Sequence, residues 1–123
     1  MQQLRSLCWR AAGVERRPQQ LRDGLKGLTA LAAQLGEDRW LEQAKHLPCD
    51  ASAALEPTAA AWIGKAQDLQ QRLLVTRLLL EAALFRQESR GGHFREDAPA
   101  PQPFWQRHTV QQRGRCISTE PVG

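Results

Sequence analysis

Tyrosine is absent from this chain of 123 residues, and valine and isoleucine are sparse. Those residue types build strands, whereas the leucine and alanine that replace them favour helices. No alternating run is long enough to indicate a sheet. Cysteine is limited to Cys8, Cys49 and Cys116, an odd number without metal-ligand spacing, so free thiols in a cytoplasmic setting are the plain reading. Neither a signal peptide nor an eighteen-residue apolar span is present, and no membrane span is expected. The G-x-x-x-x-G-K and G-x-G-x-x-G loops are also missing, so by itself the chain cannot hold a dinucleotide in the familiar way. Only three lysines occur, Lys26, Lys45 and Lys65, and they read as solvated.

Seventeen basic and thirteen acidic residues leave a formal charge of +4. A balance so mildly basic does not mark a nucleic-acid binder. The hydrophobic fraction of 41% suffices for a core, since a chain of this length buries roughly two thirds of its unfolded surface. One domain is expected.

Hydrophobic spacing supplies the architecture. Leu4, Leu7, Cys8 and Ala11 recur at helical intervals over residues 2–12, with Trp9 beside them and Gly13 as a stop. After a charged link at 14–19, Pro18 can occupy a first helical turn. Leu21, Leu25, Leu28, Leu31 and Leu35 then mark one face of a helix over 18–47, bent near Gly36. Gly24 and Gly27 cost helicity there, and close approach of a neighbouring helix explains them. Residues 48–56 read as a linker. Trp62, Ala66, Leu69, Leu73, Thr76, Leu80 and Ala83 form the core stripe of a third helix over 57–89. Leu74, Val75, Leu78, Leu79, Leu84 and Phe85 widen its apolar surface to most of the circumference, so it is either the centre of a bundle or faces a second domain. Trp9, Trp40 and Trp62 are expected at core or inter-helix contacts. The expected fold is all-α: a three-helix antiparallel, spectrin-repeat-like bundle with a short leading helix and an irregular tail over 90–123. Gly91 and Gly92 end the last helix, and Pro99, Pro101 and Pro103 make the next stretch extended.

The densest chemistry lies at Arg86–Thr109, RQESRGGHFREDAPAPQPFWQRHT. A metal site would have to use His93, Glu96 and Asp97, which sit on a loop without ligand spacing, and His46 and His108 are remote; no metal is expected. Ser89 and His93 would share a helix face only if Gly91 and Gly92 were helical, so no nucleophilic pair is expected, and Ser89 reads as a local hydrogen-bonding residue. Arg86, Arg90 and Arg95 are balanced by Glu88, Glu96 and Asp97, which argues against a phosphate patch. Planar arginine forks with the aromatic anchors Phe94, Phe104 and Trp105 suit a loop fixed against protein, either a partner or its own bundle.

This stretch closely resembles the E-S-R-G-x-H-x-R-E-D-x-P … W-x-x-H-T signature of the succinate dehydrogenase, fumarate reductase and L-aspartate oxidase flavoproteins. Glu88, Ser89, Arg90, Gly91, His93, Arg95, Glu96, Asp97, Pro99, Trp105, His108 and Thr109 fall on it in order. Leu7–Arg16, LCWRAAGVER, looks like the L-M-W-x-x-x-G-I-x-R opening of the helical domain in the L-aspartate oxidases, so the resemblance covers essentially the whole chain. Gly92 replaces the usual alanine, Phe94 a common tyrosine, and Ala100–Pro103 the usual arginine-aspartate pair.

The resemblance implies a C-terminal helical domain of a larger enzyme that uses FAD to oxidise L-aspartate to iminoaspartate for quinolinate and NAD synthesis. FAD would belong to the parent's upstream portion, with no cofactor in this chain, and Met1 would be an internal point of the parent. The implied partners are the FAD-binding and capping domains. The implied interdomain contacts are Glu88, Arg90, His93, Phe94, Arg95, Glu96, Asp97, Trp105 and His108, with Arg90 and His93 the two candidates for a direct part in the parent's active site. The domain alone is expected to be inactive, and an exposed docking surface invites homo-oligomers. The alternatives are the equivalent piece of a succinate dehydrogenase or fumarate reductase flavoprotein, and a freestanding helical module or nucleic-acid binder using Arg107, Arg113 and Arg115.

Overall fold

A computed structural model describes residues 2–36 and 57–123. Three α-helices carry the described core: α1 (Gln2–Ala11), α2 (Pro18–Gly36) and α3 (Pro57–Phe85). The expected continuation to residue 47, the linker at 48–56, and with them Trp40, His46 and Cys49, lie outside the described residues, as does the part of the chain on which a spectrin-repeat-like arrangement would turn.

The leucine stripes do what their spacing predicts. Leu4, Leu7 and Ala11 of α1, Leu21 and Leu28 of α2, and Leu73, Leu80 and Ala83 of α3 form one buried cluster, with Leu25, Leu31, Leu35 and Leu69 packed against it. Gly24 and Gly27 face α1: a Cβ on Gly24 would stand 2.6 Å from the Ala11 Cβ, and one on Gly27 2.6 Å from Leu7 Cδ1. Position 11 thus meets 24 while position 7 meets 27, so α1 and α2 run antiparallel. The two glycines make that close approach possible.

Three expectations need correction. Trp9 is not an inter-helix contact but is 82% exposed, because it lies on the face of α1 opposite Leu4, Leu7 and Ala11. The last helix ends at Phe85 rather than 89, where a downstream side chain takes over its terminal carbonyls. The region after it is ordered into small β elements rather than irregular. In the expected link, β1 (Glu15–Arg16) pairs in parallel with β2 (Phe94–Arg95). A 3-10 turn, Pro103–Trp105, leads into β3 (Arg107–Val110), which pairs antiparallel with β4 (Ser118–Pro121).

These two kinds of helical glycine should respond oppositely to a methyl group. Gly24→Ala is expected to destabilise the chain by about 1–3 kcal/mol through overpacking. Gly64→Ala, in α3 with nothing within 4 Å of its Cβ position, should stabilise by about 0.5–1 kcal/mol. Urea midpoints of the two variants test both signs.

Candidate functional site

The turn after α3 is built on three side chains that are nearly or fully buried although polar: Glu88, Ser89 and Arg95. Arg95, 3% exposed, sends Nη1 back to the carbonyls of Leu84 at 2.7 Å, Arg86 at 3.0 Å and Ala83 at 3.3 Å. These are groups that a helix C-terminus leaves without intrahelical partners, and a cation there also meets the negative end of the helix dipole. The other side of the guanidinium holds Asp97 through Nε at 2.9 Å and Nη2 at 2.6 Å. That pairing holds the Asp97 carboxyl below its ordinary value.

Glu88 is 0% exposed and collects four donors. Arg90 Nε and Arg86 Nε donate to Oε1 at 2.9 and 3.0 Å; the Gln102 backbone N–H and Arg90 Nη2 donate to Oε2 at 2.9 and 3.1 Å. The Arg90 bonds first, then those from Gln102 and Arg86, outweigh burial and hold the carboxyl at about 2. Arg86 continues beyond Glu88 to the carbonyls of Arg107, at 3.1 Å, and Trp105, and to the Thr109 hydroxyl at 3.1 Å. It also lies 5.8 Å from the Trp105 ring centroid. Phe85 and Phe104 meet Trp105 edge-on. Ser89 is a local hydrogen-bonding residue: Oγ accepts from the Arg95 N–H at 2.8 Å and donates to the Ala98 carbonyl at 2.7 Å.

Between these layers, Arg90 and His93 exchange backbone bonds of 2.8 and 3.0 Å across a turn in which Gly91 has φ +56. Only glycine adopts that conformation without strain. His93 Nδ1 lies 3.2 Å from Arg16 Nη1. A guanidinium can only donate, so Nδ1 accepts and the proton sits on Nε2, which faces the Arg86 carbonyl at 3.4 Å. Burial, followed by repulsion from Arg16, Arg95 and Arg86, pushes His93 below its usual value, against the pull of that carbonyl.

The structure therefore brings Glu88, Arg90, His93, Arg95, Asp97 and Trp105 into one knot. Arg90 and His93 are both committed to bonds within the chain. Phe94 is exposed, Glu96 pairs with Arg17 at the surface, and His108 stands exposed on β3 opposite Glu120. Among the described residues no group of three or more His, Cys, Asp or Glu side chains could hold a metal ion, and no helix is long and apolar enough to cross a membrane.

Sequence reasoning assigned no role to Arg16, which joins β1 to the turn through the Gly92 carbonyl at 3.0 Å and through His93. Arg16 falls on the last arginine of the LCWRAAGVER resemblance, but its contacts could not be read locally, because its partners are 76 and 77 residues away. Sequence reasoning also left open the face beside the turn, where Val75 is 64% exposed and Leu74, Leu78 and Leu79 accompany it. Between α1 and α3 this face sinks into a cleft of about 1090 Å³, lined by Leu4, Cys8, Trp9, Val14, Val75 and Leu79 together with Arg16 and Gly92. Placing Leu4, Leu7 and Ala11 on a helical wheel would have put Trp9 on the outside.

Comparison with known proteins relates the whole chain to one family. A family model described as the fumarate reductase flavoprotein C-terminal region matches residues 1–123. The L-aspartate oxidase of Synechocystis sp. is 33% identical over 116 residues, 94% of this chain and 21% of that protein. One component of the fumarate reductase (CoM/CoB) of Methanothermobacter marburgensis is 41% identical over 49 residues, 40% of this chain and 9% of the relative. The L-aspartate oxidase of Nostoc sp. is 54% identical over 39 residues, 32% of this chain and 7% of the relative. The chain thus spans about a fifth of the length of the Synechocystis protein. No solved structure matches it.

The acid limb of stability should originate in this knot. Glu88 and Asp97 have depressed folded values, so their contributions are full above the unfolded values near 4.5 and 3.8 and are lost as pH falls below them, that of Glu88 toward about 2. Urea midpoints measured between pH 7 and 2 should fall over that window, and Glu88→Gln should flatten the fall. Arg95→Met, which uncaps α3, should cost on the order of 3 kcal/mol at pH 7.

Proposed function

The chain belongs to the fumarate reductase flavoprotein C-terminal family, and from that premise we propose that it is the C-terminal helical domain of a longer FAD-dependent L-aspartate oxidase. Its part is to pack against the FAD-binding and capping domains of the same polypeptide in the cytoplasm. The observation that carries this reading is the bare apolar face of α1 and α3 beside the signature turn. A surface of that kind is what a domain leaves for a neighbour.

FAD, held by the upstream portion, would supply the oxidation of L-aspartate to iminoaspartate. Among the described residues, none form a flavin cradle. Gly91 and Gly92 follow the end of a helix instead of joining a strand to a helix N-terminus, so no step of the oxidation is placed here. What the chain's own residues do is hold a surface. Glu88 gathers Arg86, Arg90 and the backbone of Gln102, Arg95 ends α3, and the 90–93 turn is thereby fixed against β1. Of the residues expected at an interdomain contact, Arg90, Phe94, Glu96, Asp97 and His108 are exposed and so available to a neighbouring domain. The 49-residue match to a fumarate reductase component favours a second reading, the equivalent domain of a fumarate-reducing flavoprotein.

Isolated, the chain should bind no flavin and oxidise no aspartate. Expressed together with the sequence encoded in frame upstream of Met1, it should give a yellow protein that oxidises L-aspartate. Turnover of succinate or fumarate instead would select the second reading, and flavin retained by the chain alone would overturn both. In the full-length protein, Arg90→Ala should speed proteolysis between the domains; an unchanged digestion pattern would count against a docking role for the turn.

A further inference from the structure

Six arginines of the described chain stand against carboxylates: Arg17 with Glu96, Arg72 with Asp68, Arg77 with Glu81, Arg86 and Arg90 with Glu88, and Arg95 with Asp97. Arg16 differs from all of them. Its Nη1 donates to the neutral Gly92 carbonyl and to neutral His93. Its Nε is buried without a partner, and among the described residues no carboxylate pairs with it. A half-buried guanidinium without a counter-charge is costly, and this one sits where an anion from outside can reach it. The cleft of about 1090 Å³ between α1 and α3 and a smaller one of about 380 Å³ over His93 and Thr109 share Arg16, Leu79 and Gly92. Together they make one trough, apolar along α1 and α3, with a cation at its junction.

The occupant's chemistry follows from that lining. Trp9, Val14 and Val75 call for apolar side chains, and Arg16 calls for a carboxylate. We infer that this trough seats an apolar segment bearing an acidic residue, contributed by the portion of the polypeptide that precedes this domain, with Arg16 as the anchor for the carboxylate. The inference rests on the proposed function, and the Synechocystis relative, of which this chain matches 21%, gives the scale of chain available to fill the trough. Charge argues against a second copy of this domain as the occupant. The large cleft is bordered by Arg5, Arg16 and Arg72 against the single acid Asp68, and two such surfaces would oppose like charges.

The test compares amide exchange in the 123-residue chain with exchange in the full-length polypeptide. Residues around Trp9 on α1 and Val75 on α3 should gain protection only in the latter. In the full-length protein, Val75→Asp and Arg16→Gln should each raise interdomain proteolysis by about tenfold or more. Arg16→Lys should restore part of the resistance, and the Arg16→Gln protein should lose the salt sensitivity of docking. Val75 is largely exposed, so its variant keeps the test valid if Arg16 proves necessary for folding. Val122→Asp, at an exposed site, serves as the control and should behave as wild type.

A full-length protein that binds flavin and oxidises aspartate, yet shows no added protection on α1 and α3 and no response to Val75→Asp, would overturn the inference and leave the proposed function standing. An upstream sequence that yields no flavoprotein would overturn the proposed function. Protection that appears in the isolated chain as its concentration rises would identify a second copy as the occupant and overturn the inference.

Discussion

Arg95 reaches back from β2 to the carbonyls of Ala83, Leu84 and Arg86, and the architecture at this end of the molecule follows from that contact. A helix as rich in leucine and alanine as α3 has no intrinsic reason to stop at Phe85, since arginine, glutamine and glutamate come next and all propagate helices well. The chain turns away because a buried guanidinium takes the terminal carbonyls. The same residue donates its backbone N–H to Ser89 and pairs in β2 with Arg16 of β1. One side chain thereby fixes the end of the longest helix, the loop that follows it and the strand that ties this loop to the segment between α1 and α2. Its charge is tolerated in the interior because Asp97 meets it in a two-point fork and the helix end presents the matching partial charge.

Glu88 does for the other half of the loop what Arg95 does for the first. Two arginines and the backbone of Gln102 converge on it, and through Arg86 it is coupled to Trp105, Arg107 and Thr109. The balance of three arginines and three acids, which in the sequence suited either an interface or self-packing, is thus largely satisfied within the chain. Glu88 and Arg95 are too buried to touch another domain directly. In the proposed docking, their effect on a neighbour would pass through the position of what they hold: the Gly91–Gly92 turn, Phe94 and the wall of the trough at Arg16.

The core stripes were legible in the sequence because helical periodicity is a local property. Leu21, Leu28, Leu73, Leu80 and Ala83 are buried as their spacing requires, and Gly24 and Gly27 mark the approach of a neighbouring helix as their cost suggested. The end of α3 was not legible, since its cap comes from Arg95, far outside any helical window. The β1–β2 pairing joins Glu15 to Phe94, two segments with no strand-like composition of their own; a two-residue ladder is imposed by the packing around it. The β3–β4 hairpin is similarly short, and nothing in its polar sequence alternates for long enough to mark it. Trp9 failed for a different reason. Its size suggested the core, but its position around α1 placed it outside, and on a short helix the angle decides.

Under the proposed docking, the signature residues and the exposed apolar face would belong to one device. A freestanding helical protein would be expected to place polar residues at 75 and 79, where valine and leucine are held in water without return. Here those positions are apolar while Glu88 and Arg95, which water would solvate well, are buried. The exchange is intelligible if the loop must be rigid before docking: a turn already fixed by Arg95, Glu88 and Gly91 loses little conformational entropy when a neighbour closes over it. In the proposed docking, the apolar face would supply area, Arg16 the electrostatic register, and the buried ion pairs would keep both in the geometry that a neighbour meets.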